Sequence, residues 1–210
     1  MAAQTKIAVL KERSAGETRV SAIPETVKKF IALGAVMAVE EGAGVNASIT
    51  DEAFREAGAQ VGPLETVLKD ADIVFGVQGV EPSLLAGAKP GAWFAAVLDP
   101  FGQRARIDGY ATAGVEALAM EFMPRITRAQ SMDVLSSQSN LAGYKAVLAA
   151  ADTYGRAFPM MMTAAGTITA ARVFVMGVGV AGLQAIATAR RLGAQVSATD
   201  VRSATKEQIQ

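Results

Sequence analysis

The chain of 210 residues contains no cysteine and no histidine. Without cysteine there is no disulfide, no thiolate nucleophile and no iron–sulfur ligand, which suits a reducing compartment. Without histidine, the commonest general acid or base, the usual zinc ligand and every Ser-His triad are excluded. Any catalysis must therefore rest on carboxylates, amides, arginines or a bound cofactor. Neither charge is in excess, since 20 Lys and Arg offset 20 Asp and Glu, and no run of one sign marks a nucleic-acid or polybasic membrane surface. Long hydrophobic runs are also scarce. The opening MAAQTKIAVLKER has too short an apolar stretch for a signal peptide and reads as a cytosolic start. The uncharged stretch 173–189 reaches only the low end of a membrane span, and Gly177, Gly179 and Gly182 within it favour a strand, a tight turn and a buried helix. Neither a nucleic-acid partner nor direct membrane insertion is expected.

What is present is an apolar chain, 51% hydrophobic, with enough residues for one large or two modest cores. In its first part, short apolar runs alternate with helical patterns, the order that builds a parallel sheet flanked by helices. Residues 6–10 (KIAVL), 35–39 (AVMAV), 72–77 (DIVFGV), 92–98 (AWFAAVL) and 115–120 (VEALAM) have buried-strand length. Pro24 opens a helix that stops at Gly34, Thr50 caps another, and 64–71 reads as a third. The segment 141–154 is Ala-rich and helical, able to bridge two domains, while the Met-rich 158–169 (FPMMMTAAGTIT) reads as core or interdomain packing. A faint echo between IALGAVMAVEE at 31–41 and RRLGAQVSATD at 190–200 fits two similar domains.

Residues 172–200, RVFVMGVGVAGLQAIATARRLGAQVSATD, carry the most specific motif. An apolar strand runs into Gly177-Val178-Gly179-Val180-Ala181-Gly182, a helix follows to Leu192, Gly193 caps it, and a second strand delivers Asp200. Gly177 permits the tight turn, Gly179 lets the backbone approach a pyrophosphate, and Gly182 lets helix and strand pack closely. The helix N-terminus then receives the phosphate charge. Asp200 stands where a carboxylate hydrogen-bonds adenosine ribose and repels a 2′-phosphate, which favours NAD over NADP, although the nearby Arg202 could accept such a phosphate. Glycine-rich turns also arise for purely structural reasons, but here strand, turn, helix, cap, strand and acid occur in order. Residues 201–210 read as the start of another helix, leaving this nucleotide-binding unit with two of its usual six strands.

The run 124–140, PRITRAQSMDVLSSQSN, is polar in an apolar chain. On its residues alone it is a polar linker with a helix cap, in which Asp133 or Ser136 satisfies backbone donors and Arg125 is solvated. The alternative is a set of groups that hold a substrate: Gln130 could hydrogen-bond a carboxamide or ribose, and Arg125 paired with Asp133 could fix the segment's geometry.

MPRITRAQSMDVLSSQSNLAGYKAV, FPMMMTAAGT and GVGVAGLQAIATARRLGA together resemble the NAD(H)-binding component of proton-translocating NAD(P) transhydrogenase, the soluble first portion of its alpha subunit. KIAVLKER, ETRVSAIPETV and EGAGVNASITDEAFREAGA are similar to that family and to its relative alanine dehydrogenase. The resemblance spans nearly the whole chain, whereas family members continue beyond residue 210. Its first half departs most from the family at 100–114, PFGQRARIDGYATAG.

The resemblance implies two Rossmann-like, doubly wound α/β domains, one over residues 1–135 and a second, truncated and NAD-binding, over 136–210. It implies that the polar run is the RQD loop, with Arg125, Gln130 and Asp133, and Ser136 just after, positioning the nicotinamide. It further implies that Val178, Gly179, Val180, Asp200, Val201 and Arg202 contact NAD(H). The enzyme implied is the Re/Si-specific transhydrogenase, a homodimeric component acting in a multisubunit complex. Its partners would be the NADP(H)-binding domain of the beta subunit and membrane-spanning subunits, which would hold it at the cytoplasmic side of the inner membrane and translocate protons. Direct hydride transfer between two nicotinamides needs no general acid or base, so the missing histidines cost nothing. Two alternatives remain. One is a non-catalytic interaction fragment with half a cofactor pocket. The other is an alanine dehydrogenase-like enzyme, for which Arg19 is present to bind a carboxylate. Against it, Gln78 and the His-free AAVLDP at 95–100 stand where that family's Lys and His pair is implied.

Overall fold

The computed structural model describes residues 4–202. The chain forms two compact units that divide between Pro124 and Arg125, so the polar run from Arg125 onward belongs to the second.

Unit 1 is a doubly wound α/β domain. Its elements follow in the order β1 (Lys6–Val9), α1 (Pro24–Ala32), β2 (Val36–Glu40), α2 (Asp51–Glu56), β3 (Gln60–Gly62), α3 (Leu64–Leu68), β4 (Ile73–Gln78), β5 (Trp93–Val97), α4 (Arg104–Thr112) and β6 (Glu116–Ala119). The six strands are hydrogen-bonded in the order β3-β2-β1-β4-β5-β6, all parallel. Period-two alternation on β1 explains why both faces are covered. Ile7 and Val9 join one cluster with Val27, Met37 and Phe54, while Ala8 and Leu10 join the other with Val74, Phe94 and Tyr110. Thr50 caps α2 as expected, its hydroxyl accepting from the Ala53 N–H at 3.2 Å.

Two elements of unit 1 escaped the sequence patterns. Strand β3 is only three residues long, at the sheet edge. Helix α4 arises inside the departing segment 100–114; it has no side-chain cap and is held by tertiary contacts. Tyr110 is fully buried, packs edge-on to Phe94 at 5.4 Å and donates its hydroxyl to the Val80 carbonyl.

Unit 2 contains α5 (Val134–Thr153), β7 (Met161–Thr163), β8 (Gly166–Ile168), β9 (Arg172–Met176), α6 (Val180–Arg191) and β10 (Gln195–Thr199). Strands β9 and β10 pair in parallel, and a cluster of Val147, Phe158, Ala171 and Ala189 packs beside them. The expected strand, turn, helix and strand over 172–200 are all present, and no helix among the described residues is long and apolar enough to cross a membrane. Helix α5 is longer than its Ala-rich segment, because it begins within the polar run. The Met-rich segment is not core: Phe158 is buried, but β7 and β8 form an antiparallel hairpin on which Met161, Met162 and Ile168 are exposed, as is Met160 just before it. Of the helix expected after residue 200, Val201 and Arg202 are non-helical and the remainder lies outside the described residues.

Candidate functional site

The glycine turn of unit 2 is built by three glycines with three separate reasons. Gly177 sits at φ +94°, a left-handed conformation that a side chain would strain, and its N–H donates to Thr199 O at 2.8 Å, tying the turn to the end of β10. Gly182 admits no side chain at all, since a Cβ there would lie 1.8 Å from Gly177 O. Gly179 differs from both. Its backbone is extended (φ −85°, ψ −165°), and a Cβ would meet nothing within 4 Å. Space above Gly179 is thus open, and it faces the first turn of α6, which starts at Val180 without a side-chain cap. The N–H groups of that turn and the positive end of the helix dipole are available to an anion.

An open cleft of about 670 Å³ lies over this turn, and its walls include Gly177, Gly179, Val180 and Gly182 together with Arg125, Ser136 and Ser139. The cleft therefore gathers residues of the glycine motif and of the polar run into one site. It does not gather all. Gln130 is exposed in a 3-10 turn (Thr127–Met132), and Val201 is fully exposed. Val178 is buried, its peptide held from both sides: its N–H donates to Asp200 Oδ2 at 2.7 Å and its carbonyl accepts from Arg202 at 3.4 Å. Asp200 also accepts from Arg202, and these hydrogen bonds, the Arg202 side chain's above all, hold its carboxyl far below the usual carboxylate range.

Asp133 has a local partner. Its carboxylate accepts from the Ser136 N–H at 2.9 Å and from the Ser136 hydroxyl at 2.6 Å, capping α5. These two bonds, the hydroxyl's first, hold its carboxyl below the usual range, and the charge of Arg125 adds less. The Arg125–Asp133 pair considered from sequence is not a contact ion pair among the described residues. Arg125 instead lines the cleft. Gly143 is the residue that motif reading passed over. A Cβ on it would lie 2.1 Å from Ala181 O, so its bareness sets how closely α5 passes the start of α6. The available signal was a glycine inside an Ala-rich helix, where it costs about 1 kcal/mol relative to alanine.

Unit 1 has its own polar cluster where β1 and β4 end, the point at which the strand order reverses. Glu12 accepts the N–H groups of Val77 and Gln78 at 2.6 and 3.1 Å, and burial pushes its carboxyl up. Glu17 takes a bidentate pair from Arg19, at 2.7 and 2.6 Å, and the Gln78 side-chain amide at 3.0 Å. The Arg19 bonds lower its pKa to about 2. Arg19, the carboxylate ligand of an alanine dehydrogenase-like reading, is thus already engaged by a carboxylate of its own chain.

Comparison with known proteins agrees with both units. Residues 8–142 match the family model "Alanine dehydrogenase/PNT, N-terminal domain" and residues 146–210 match "Alanine dehydrogenase/PNT, C-terminal domain". A Rhodospirillum rubrum protein named as the first part of NAD(P) transhydrogenase subunit alpha is 54% identical over 213 residues, covering 98% of this chain and 55% of that protein. The same-named protein of Rickettsia prowazekii is 48% identical over 211 residues, with the same coverage of 98% and 55%. Among solved structures, transhydrogenase from Sinorhizobium meliloti superposes with a TM-score of 0.93 at 54% identity, over 97% of this chain and 61% of that one. An L-alanine dehydrogenase shares the fold, with a TM-score of 0.82 at 24% identity over 98% of this chain and 57% of that one. The chain spans about half the length of the curated relatives it matches. With matches to both of its domain models, which together run from residue 8 to residue 210, the chain belongs to the alanine dehydrogenase/PNT family.

Proposed function

We propose that this chain is the NAD(H)-binding part of a transhydrogenase component. In the full-length protein it would hold NAD(H) on unit 2, aligned for hydride exchange with NADP(H) on a partner subunit. The observation that carries this reading is the cleft in which Arg125 and Ser136 share walls with Gly177, Gly179 and Gly182. The fit is chemical as well, since an extended Gly179 with open space above it leaves the backbone free to approach a pyrophosphate. When bound, the nicotinamide supplies the hydride chemistry.

The chain's own residues then bind and orient. The α6 N-terminus receives phosphate charge, Asp200 receives ribose hydroxyls, and Val180, Val201 and Arg202 flank them. Arg125 adds a cation at the cleft wall, and Asp133 fixes the start of α5 through Ser136. Gln130, exposed beside this segment, offers an amide to the ring end of the ligand. None of these groups must take up or release a proton, which suits a chain without histidine. The relatives named as subunits of NAD(P) transhydrogenase support the existence of partner subunits; in this reading NADP(H) sits on the beta subunit's nucleotide-binding domain. Coupling to proton movement then falls to membrane-spanning subunits, with this component a homodimer at the cytoplasmic face of the inner membrane.

The test is transfer between nucleotides by the full-length protein mixed with the NADP(H)-binding domain. Gln130→Asn shortens the amide by one methylene and is expected to lower the rate by roughly tenfold to a hundredfold, the cost of misplacing a bound ring by about 1 Å. A wild-type rate in Gln130→Asn, or no complex between the two proteins, would overturn the proposal.

A further inference from the structure

Asp200 and Arg202 are two residues apart at the end of β10 and form a fork. Arg202 Nε donates to Asp200 Oδ1 at 3.0 Å and its terminal nitrogen to Oδ2 at 3.1 Å, while the Arg202 backbone N–H reaches Oδ1 at 2.8 Å. On the other side Oδ2 takes the Val178 N–H at 2.7 Å. The acid's side chain is 6% exposed and the arginine's 61%. The arginine also donates to Val178 O at 3.4 Å, so it lies back toward the glycine turn.

Alone, each residue would select a different nucleotide. A free carboxylate at this place accepts ribose hydroxyls and repels a 2′-phosphate, whereas a free guanidinium attracts that phosphate. We propose that the two act as one selectivity element, in which Asp200 restrains Arg202 and so keeps the glycine turn selective for NAD(H) over NADP(H). This rests on the glycine turn being the dinucleotide site. The guanidinium fork sets two N–H donors against the same two oxygens that a ribose diol would address. Ribose therefore competes with the Arg202 side chain for Asp200. The Val178 N–H bond remains, so the turn keeps its shape during that exchange. A 2′-phosphate gains nothing comparable, because the cation it would need is already spent on the acid.

The experiment uses the full-length protein and follows NADH and NADPH by dihydronicotinamide fluorescence in wild type, D200N, R202A and the double variant. D200N keeps a side-chain oxygen for the Val178 N–H but removes the charge and one of the two acceptors that hold the Arg202 side chain. It is expected to shift the ratio of affinities toward NADPH by about tenfold or more. The double variant is expected to lose that gain. R202A leaves Asp200 ionised and without its guanidinium, and is expected to widen the preference for NADH. Since R202A keeps the bond between Asp200 and Val178, it reads the proposal even if D200N does not fold. An unchanged ratio in D200N or R202A, or a gain in D200N that survives removal of Arg202, overturns the proposal. Wild type that binds neither nucleotide would instead remove the dinucleotide reading on which it rests.

Discussion

Gly143 on α5 and Ala181 in the first turn of α6 approach so closely that a Cβ on the glycine would come within 2.1 Å of the Ala181 carbonyl oxygen. Backbone, which cannot swing aside as a side chain can, forms that contact. Gly143→Ala must therefore push the two helices apart and widen the cleft they share with the glycine turn. A loss of about 1–3 kcal/mol is expected, typical of overpacking and larger than the helix-propensity gain of about 1 kcal/mol. Urea unfolding measures it, and a neutral or stabilising result would show that α5 can retreat without strain.

Asp133 combines a cap with a charge, and two substitutions separate them. Asp133→Ala removes the acceptor that holds the Ser136 N–H and should cost about 1 kcal/mol. Asp133→Asn keeps an acceptor and should leave the melting temperature nearly unchanged. If Asn also leaves hydride transfer intact, the residue serves the site through the helix start. Loss of transfer with an unchanged melt would assign a role to the charge.

How much of the fold and site was legible in the sequence differs from residue to residue. KIAVL and DIVFGV announce buried parallel strands because both faces of β1 and β4 are covered, and the glycine turn is legible because Gly177 and Gly182 each meet a steric demand while Gly179 leaves open space. Helix α4 was not legible. Gly109 weakens its propensity but is required where a Cβ would lie 2.6 Å from Pro82, and Tyr110 anchors it through a carbonyl of another segment. Nor was the hairpin, since three consecutive methionines read as core whichever surface they face. In the polar run, Asp133 could have paired with Arg125 or capped the helix. The partner three residues away prevails because it orders little additional chain.

Glu17 gives unit 1 a specific acid sensitivity. Its folded pKa, about 2, lies below the ordinary 4.5, so the stability it contributes is complete above about 4.5 and is lost as pH falls through about 2. Glu12, whose pKa burial raises, acts with the opposite sign. Glu17→Gln should therefore lower stability near neutral pH and flatten the decline on acidification. Urea midpoints at pH 6 and pH 3 for both proteins check this. An equal decline in the variant would place the ionisation elsewhere.

Binding of a dinucleotide over the glycine turn depends on the open space above Gly179, where a Cβ would meet nothing within 4 Å and an extended backbone accepts alanine without strain. Gly179→Ala should fold like wild type, within about 0.5 kcal/mol, because it touches no other group. Its methyl would stand where a bound pyrophosphate must approach. The decisive measurement is NADH binding by full-length wild type and Gly179→Ala, with a thermal melt of each. Matching melts are expected, with an affinity lowered at least tenfold in the variant. Matching melts with unchanged NADH affinity would contradict a dinucleotide site at this turn.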